Sequence, residues 1–240
     1  MLTVCRLADL SVGFIHKASF LPRFYHAFLC DSVPDITISV NDEEIEREAL
    51  CEGAPMGEER FGYLEAVALY RKLCLALPRF QGFMLHSSFF TLRGVGIAIS
   101  ADCGVGKTTV TMNVKAAYPA DFRIINGDKP LFRRGVEGFI GYGTPFCGKE
   151  RLGSKNSAKI HALCFLERGE KDTVLPLSPE EAFPKLFGAT LAPHDPTLFP
   201  LLLEEINRLL TTVKLYRLIA TPTPGVASAL LEKLTEDTLA

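Results

Sequence analysis

The spacing of apolar residues changes along the N-terminal part of the chain. Short stretches in which apolar and polar residues alternate predict strands, and longer stretches with apolar residues three and four positions apart predict helices. Pro78 follows the longest of these helical stretches and should end it. The predicted elements are strands at residues 3–5 and 36–40 and helices at residues 19–30 and 63–77. Together they predict a small α+β lead-in over residues 1–81.

Two apolar runs open the remainder of the chain, at residues 84–91 and 95–100. Only a short connection that contains Arg93 and Gly94 separates them, which predicts a β-hairpin. The second strand therefore has an antiparallel neighbour. A doubly wound nucleotide-binding fold would have a helical crossover at this point instead.

The rest of the chain alternates between further strands and helices. Ser178 is a predicted N-cap, with Pro at the first helical position and Glu three residues after the cap, and Pro184 should end or kink that helix early. The fold class that follows is α/β, with a mixed β-sheet in a core domain over residues 82–240. The predicted strands are 122–126, 131–133, 139–142, 160–167, 173–177 and 214–220, and the other helices are 107–117, 200–212 and 225–234.

Composition excludes several classes of function. The chain has 240 residues, of which 48% are hydrophobic, and a net charge of −2, so no basic stripe is available for a nucleic-acid backbone. No apolar run approaches the ~18 residues of a membrane span, and the N-terminus does not resemble a signal peptide. The seven cysteines are widely separated and none has Cys-x-x-Cys spacing. This pattern is typical of reduced thiols. We expect a cytoplasmic protein that binds neither nucleic acid nor membrane.

A glycine-rich segment at residues 101–109 carries the clearest chemical signal. It fits the Walker A phosphate-binding pattern, with Ala101 at the position where glycine is commoner, and it joins a predicted strand to a predicted helix. Its glycines allow several N–H groups to converge on one anion at a helix N-terminus. Lys107 would reach the β- and γ-phosphates, and Thr108 would ligate Mg²⁺. An ordinary glycine-rich turn is the alternative. The nucleotide-binding residues predicted here are Cys103, Gly104, Val105, Gly106, Lys107, Thr108 and Thr109.

Asp128 is the candidate group for orienting or deprotonating a phosphate acceptor. It lies just past a predicted strand, and an ionised carboxylate suits both an acceptor hydroxyl and a metal ion. An Asx-type turn within residues 126–130 is the structural alternative, and both can hold together. His86 is predicted to open the first strand of the hairpin, which would carry it towards the phosphate region; taken alone, a single histidine is more often structural.

A second glycine-rich loop covers residues 141–151. Lys149 and Arg151 are candidate contacts for phosphate or acceptor, and Thr144 is a candidate hydrogen-bond donor to the substrate. The alternative is a surface turn whose Gly and Pro residues serve its geometry and whose charges face water.

The ordered set of motifs resembles the C-terminal domain of the HPr serine kinases, a fold related to phosphoenolpyruvate carboxykinase. The segments that carry the resemblance are Met-Leu-His-Ser-Ser at 84–88, residues 93–99 and the glycine-rich loop at 103–108. Residues 126–129 and 142–150 look more like the short HPr-kinase-like proteins. The resemblance covers roughly residues 82–235. Where HPr kinase has two adjacent aspartates this chain has Gly127-Asp128, and a Glu-x-Arg-Gly-x-Gly segment has no counterpart here.

The resemblance implies a P-loop kinase that uses ATP and Mg²⁺. It makes His86 and Asp128 active-site groups, and Lys107 and Thr108 the phosphate and metal contacts; related kinases form homo-oligomers. We expect phosphorylation of a hydroxyl acceptor, a serine of a protein or peptide or a small molecule. Asp128 serves as base, as metal ligand or as both. The contrasting hypothesis is a nucleotide-binding accessory module without phosphotransfer, which the single carboxylate favours.

Overall fold

The N-terminal strands pair with one another in a small sheet of their own. A computed structural model describes residues 1–51, 53, 57–221, 223 and 225–239. Strands β1 (Leu2–Leu7) and β2 (Leu10–Ile15) form a hairpin, and β3 (Ile36–Ser39) pairs parallel with β2. The turn residues Ala8 and Asp9 have φ of 51° and 57°. Because this left-handed turn uses Ala-Asp instead of the usual Asn-Gly, β2 was not predicted from the sequence.

The helix predicted over residues 19–30 is wrong. Helix α1 (Phe20–Phe24) ends after one turn, and a 3₁₀ turn follows it. Tyr25 is completely buried, and beyond it the backbone N–H of Cys30 donates to the carbonyl of Val4 at 3.0 Å. Burial of the aromatic side chain and pairing with the edge of β1 therefore outweigh the helical periodicity.

Two antiparallel helices complete the N-terminal module. Helix α2 (Asp42–Cys51), which was not predicted, follows a reciprocal pair of bonds between Asn41 and Glu44, each side chain accepting from the other's backbone N–H at 2.9 Å. Helix α3 (Glu58–Ala76) extends the predicted helix towards its N-terminus. A cluster of buried side chains joins this module to the rest of the chain, because it includes Met84, Leu131 and Phe146.

In the described part of the chain, nine strands form the second, mixed sheet. Its strands are β4 (Gly82–Met84), β5 (Ser87–Leu92), β6 (Val95–Ser100), β7 (Phe122–Asn126), β8 (Leu131–Gly135), β9 (Gly138–Tyr142), β10 (Ser157–Arg168), β11 (Thr173–Pro176) and β12 (Lys214–Ala220). The long strand β10 pairs antiparallel with β9 near its start and parallel with β6 and β12 farther along. The strand order β4-β8-β9-β10-β6-β5-β7 is extended by β12 beside β10 and β11 beside β12.

Helices cover both faces of this sheet. Helices α4 (Lys107–Ala117) and α7 (Val226–Leu239) pack on the face that carries Ile97 and Ile99, and α5 (Pro179–Gly188) and α6 (Phe199–Thr212) on the face that carries Ala98. The alternation of side chains along a strand thus divides neighbouring residues between two apolar layers. The predicted mixed α/β class is confirmed. None of the helices in the described ranges is long and apolar enough to cross a bilayer.

Two details of the predicted elements are wrong. The single strand predicted over residues 84–91 is two strands, because β4 pairs with β8 whereas β5 pairs with β6 and β7. Pro184 neither ends nor interrupts α5, which continues to Gly188. In the second turn of a helix the amide that Pro184 lacks would have bonded only the Glu180 carbonyl, so the later turns remain intact.

The strand directions bring several ends together at one edge of the sheet. Strands β6, β7 and β10 run in one direction, and β5 runs against them. Ser87 at the start of β5 is paired with Ser100 at the end of β6, and Phe89 with Asn126 at the end of β7. The segments that follow β6 and β7 and precede β5 therefore meet at this edge.

Candidate active site

The glycine-rich loop at residues 101–106 connects β6 to α4 at this edge. Gly104 and Gly106 have φ of +79° and +124°, a region that L side chains rarely adopt. Gly106 is the N-cap of α4, and no side chain caps that helix end. The first amides of α4 and the positive end of its dipole thus remain available to an anion. This geometry fits the predicted phosphate cradle.

Lys107 is almost entirely buried beside the loop. Its ammonium donates to the carbonyl of Ala101 at 2.9 Å. Burial lowers the pKa of Lys107, and the negative charges of Asp128 and Asp102 act against that shift. An oxygen of a bound phosphate would replace the Ala101 carbonyl as the partner of this ammonium.

The other predicted loop residues are more accessible than Lys107. Thr108 is half-buried in the first turn of α4, and Thr109 and Cys103 are exposed. Thr111, one turn later, is buried and donates to the Lys107 carbonyl at 2.9 Å, with its hydroxyl also 2.8 Å from that of Ser88. These bonds tie the start of α4 to strand β5.

Arg168 at the end of β10 supports the loop and was not found from the sequence. Its guanidinium donates to the Val105 carbonyl at 3.1 Å and to the Gly104 carbonyl at 2.5 Å. These two bonds tie the glycine-rich loop to the end of β10. Arg168 is distant from the loop in the sequence, and the pairing of β10 with β6 brings the two together.

Two cavities border the glycine-rich loop. One of about 570 Å³ is lined by His86, Asp102 and Lys185 among others, and one of about 450 Å³ is lined by Gly104, Thr109 and neighbouring residues. Phosphates held by the loop amides would lie between the two. The second cavity is lined by both aliphatic and polar side chains, and the first extends to His86.

His86 and Asp128 form a pair at the end of the first cavity. The prediction that His86 opens a strand is wrong. His86 lies in the break between β4 and β5, where its backbone N–H donates to the Ala189 carbonyl at 2.8 Å. This break turns the imidazole towards the sheet edge. His86 Nε2 lies 3.1 Å from Asp128 Oδ1. The sequence-predicted residues from two distant segments therefore meet here.

Asp128 has an environment that keeps its carboxylate ionised. Burial raises the pKa of Asp128. The hydrogen bond with His86 and the positive charges of Lys129 and Lys107 lower it by more, so the pKa lies below its ordinary value of 3.8. Lys107 and Asp128 thus lie near enough for each charge to act on the other. The carboxylate remains partly accessible, with 28% of the side chain exposed.

The Asx-type turn predicted as the alternative for this segment also exists, and it is made by Asn126. The side-chain Oδ1 of Asn126 accepts from the backbone N–H of Asp128 at 2.9 Å and from that of Lys129 at 2.8 Å. The turn consumes the side chain of Asn126 and leaves that of Asp128 free to face His86. Turn and candidate chemistry therefore belong to different residues.

Thr144 lies under this turn. The Thr144 hydroxyl is buried, accepts from the Asn126 amide at 3.0 Å and donates to the Lys129 carbonyl at 2.9 Å. Tyr70 of α3 donates to the same carbonyl at 2.7 Å. Thr144 thus supports the turn that carries Asp128. Its hydroxyl is used in these bonds and not in the predicted hydrogen bond to a substrate.

The second glycine-rich loop runs past Asp128. A Cβ added to Gly148 would lie 3.5 Å from that of Asp128, so the two backbone segments are in contact. Lys149 and Arg151 are exposed and line a separate groove on the outer side of this loop. The backbone of this loop is near Asp128, whereas the side chains of Lys149 and Arg151 line the groove.

The donor set near the loop fits a magnesium ion that arrives with a nucleotide. The described residues contain no group of three or more His, Cys, Asp or Glu side chains that could hold a metal ion by themselves. Magnesium bound with a nucleotide takes one or two protein ligands and completes its shell with phosphate oxygens and water. The Thr108 hydroxyl and the Asp128 carboxylate are the oxygen ligands predicted from the sequence.

Comparison with known proteins identifies no relative by sequence. No protein-family model matches the chain, and no curated protein is significantly similar to it. Among solved structures, the HPr(Ser) kinase/phosphatase from Coxiella burnetii is similar with a TM-score of 0.35 and 13% sequence identity, over 65% of this chain and 95% of that chain. A TM-score of this size does not establish a common fold.

Proposed function

We propose that this protein is an ATP- and Mg²⁺-dependent phosphotransferase of the HPr-kinase-like type that phosphorylates a hydroxyl acceptor, a serine of a protein or peptide. The observation that carries the proposal is the meeting of three parts at one sheet edge: the glycine-rich loop, the Lys107 ammonium and the His86–Asp128 pair. Phosphoryl transfer requires a phosphate cradle, neutralising charge and a group that orients the acceptor.

The loop and Lys107 would hold the triphosphate. The amides of the loop and of the first turn of α4 bind phosphate oxygens, and the ammonium moves from the Ala101 carbonyl to the β- and γ-phosphates. Thr108 and Asp128 would hold the magnesium ion, which neutralises charge that develops on the phosphates. These groups belong to the segments that follow β6 and β7, and the two segments lie at the same end of the sheet.

The His86–Asp128 pair would receive the acceptor. The hydroxyl of the acceptor donates to the Asp128 carboxylate, and its oxygen attacks the γ-phosphorus. The bond from the γ-phosphorus to the bridging oxygen breaks, ADP leaves, and Asp128 accepts the proton. A carboxylate with a lowered pKa suits a transition state in which the proton moves late. His86 acts on the acceptor through Asp128, because its imidazole fixes the orientation of that carboxylate.

Transfer of a label tests the proposal. The protein is incubated with γ-labelled ATP, Mg²⁺ and a cell lysate, and labelled proteins are identified by mass spectrometry. We expect one or a few acceptors labelled on serine, with no label when Lys107→Ala replaces the wild type. A wild-type protein that binds no nucleotide at millimolar concentration with Mg²⁺ present contradicts the proposal. Tight ATP binding without transfer to any acceptor instead favours the accessory module.

A further inference from the structure

A groove lies between the N-terminal module and the second glycine-rich loop, outside both cavities of the phosphate site. Its volume is about 650 Å³. Four aromatic rings form its floor. The rings of Phe20 and Phe24 are stacked with centroids 5.2 Å apart, and Phe24 meets Phe146 edge-on at 5.1 Å. Tyr63 of α3 packs edge-on against Phe20 at 6.3 Å. We call this surface the aromatic groove.

The rim of the aromatic groove is basic. It is formed by Arg23, His26, Lys149 and Arg151. Neither Asp nor Glu occurs among the described residues that line the groove, and within the described ranges no carboxylate forms an ion pair with Arg23, Lys149 or Arg151. The chain as a whole carries a net charge of −2. This rim therefore concentrates positive charge on a protein of net negative charge, with the Glu150 carboxylate nearby, close to the lining residue Gly148.

One end of the aromatic groove lies beside the segment that carries Asp128, because a Cβ added to the lining residue Gly148 would be 3.5 Å from the Asp128 Cβ. Phe146, in the floor, accepts at its carbonyl from the backbone N–H of Lys129 at 3.2 Å. Burial raises the pKa of the Cys147 thiol in the groove; the charge of Asp128 raises it further, and that of Arg151 lowers it. The thiol thus lies within reach of both charges. A chain that occupies the groove would present its next residues to the His86–Asp128 pair.

We propose that the aromatic groove binds an acidic peptide segment of the acceptor, with an aromatic side chain on the floor and Asp or Glu side chains at the rim. This inference rests on the proposed function and gives the N-terminal module a role in substrate selection. Charge complementarity favours an acidic partner, and an aromatic floor provides the apolar contact that an inorganic anion cannot use. The serine of such a segment would reach Asp128 from the side opposite the nucleotide.

Binding of a labelled peptide tests the inference. The probe is a fluorescein-labelled peptide with a central Ser, a neighbouring Phe and flanking Asp and Glu, compared with peptides that carry Lys for the acids or Ala for Phe. We expect the acidic Phe peptide to bind most tightly, with an affinity that falls as salt increases. Arg23→Gln combined with Lys149→Gln should weaken it about five- to tenfold, the effect of two exposed charge contacts. Arg47→Gln combined with Lys115→Gln, the same charge change at exposed sites elsewhere, should have no effect.

Several results would overturn the inference. They are equal binding of acidic and Lys-containing peptides, no binding of any peptide, displacement of the peptide by millimolar inorganic phosphate, and unchanged affinity in the Arg23/Lys149 variant. Nucleotide affinity, measured in parallel, should be the same in all variants and shows that they are folded. Groove-dependent peptide binding without label transfer from ATP refutes the proposed function alone. Transfer to acidic and basic peptides alike refutes the docking inference alone.

Discussion

Replacing Asp128 by Asn separates the chemistry of this carboxylate from its structural role. The amide has the same shape and still offers an oxygen to His86 Nε2, which lies 3.1 Å from the carboxylate. What the variant loses is the negative charge and the capacity to accept a proton. Stability and catalysis should therefore respond very differently to this one change.

The expected loss of stability is small. A hydrogen bond to a charged group contributes ~1.5–3 kcal/mol when it is buried. The His86 and Asp128 side chains are 35% and 28% exposed, so solvent screening reduces this to about 1 kcal/mol. The free energy of unfolding of a domain is ~5–15 kcal/mol, and the variant should remain folded at 25 °C.

The expected loss of phosphotransfer is large. Removal of a group that accepts the proton of the acceptor should lower kcat about 10²–10⁴-fold. The affinity for ATP should change less than about fivefold, because the lost metal contact is offset by reduced repulsion of the phosphates. The assay combines steady-state phosphotransfer with nucleotide binding by calorimetry.

A matched control is available at the other end of β7. Asp121 precedes β7 as Asp128 follows it, and its carboxylate lies 3.1 Å from Arg93 Nε at the opposite end of the strand. Asp121→Asn should keep phosphotransfer within about twofold of the wild type, since an exposed ion pair contributes little. A folded Asp128→Asn protein that retains kcat within about tenfold of the wild type refutes the role given to Asp128.

Three further predictions concern the phosphate contact, the packing and the pH dependence. Lys107→Ala should weaken ATP binding about 10–100-fold, the effect of losing a charged hydrogen bond, as measured by calorimetry; an unchanged affinity would exclude Lys107 from the site. Gly143→Ala should lower the free energy of unfolding, measured by urea denaturation, by about 3 kcal/mol, because its Cβ would lie 1.7 Å from the Ser154 carbonyl oxygen. Gly188→Ala, whose Cβ would have nothing within 4 Å, should not be destabilised. Equal stabilities of the two variants would contradict this prediction. Because the pKa of Asp128 is lowered from 3.8, its ionised form stabilises the folded state above that pH, and the stability is lost as pH falls through the folded-state pKa. The difference in unfolding free energy between wild type and Asp128→Asn should therefore shrink below 3.8, and a growing difference would reverse the sign.

Local signals were sufficient for much of the core. The bounds of α4 and β7 were predicted correctly, and so was the hairpin of β5 and β6, because glycine-rich turns and short apolar runs act over a few residues. Elements that depend on distant partners were not predicted correctly. The segment 19–30 has helical periodicity, yet pairing with β1 and burial of Tyr25 decide its conformation.

The parts of the candidate site could be read from local sequence: a loop whose glycines permit positive φ, a lysine and a threonine at the start of the following helix, and a carboxylate after a strand. These depend on the conformational freedom of glycine and on the charge of individual side chains. Residue type alone could not reveal whether the parts meet.

The arrangement of the parts depends on contacts between distant segments. The break between β4 and β5 arises because the two strands pair with different neighbours, and this break directs His86 to Asp128. The support of the loop by Arg168 and the inward hydroxyl of Thr144 likewise depend on strands and turns that are distant in the sequence. Contacts of this kind are selected by the packing of the whole core, which no local pattern encodes.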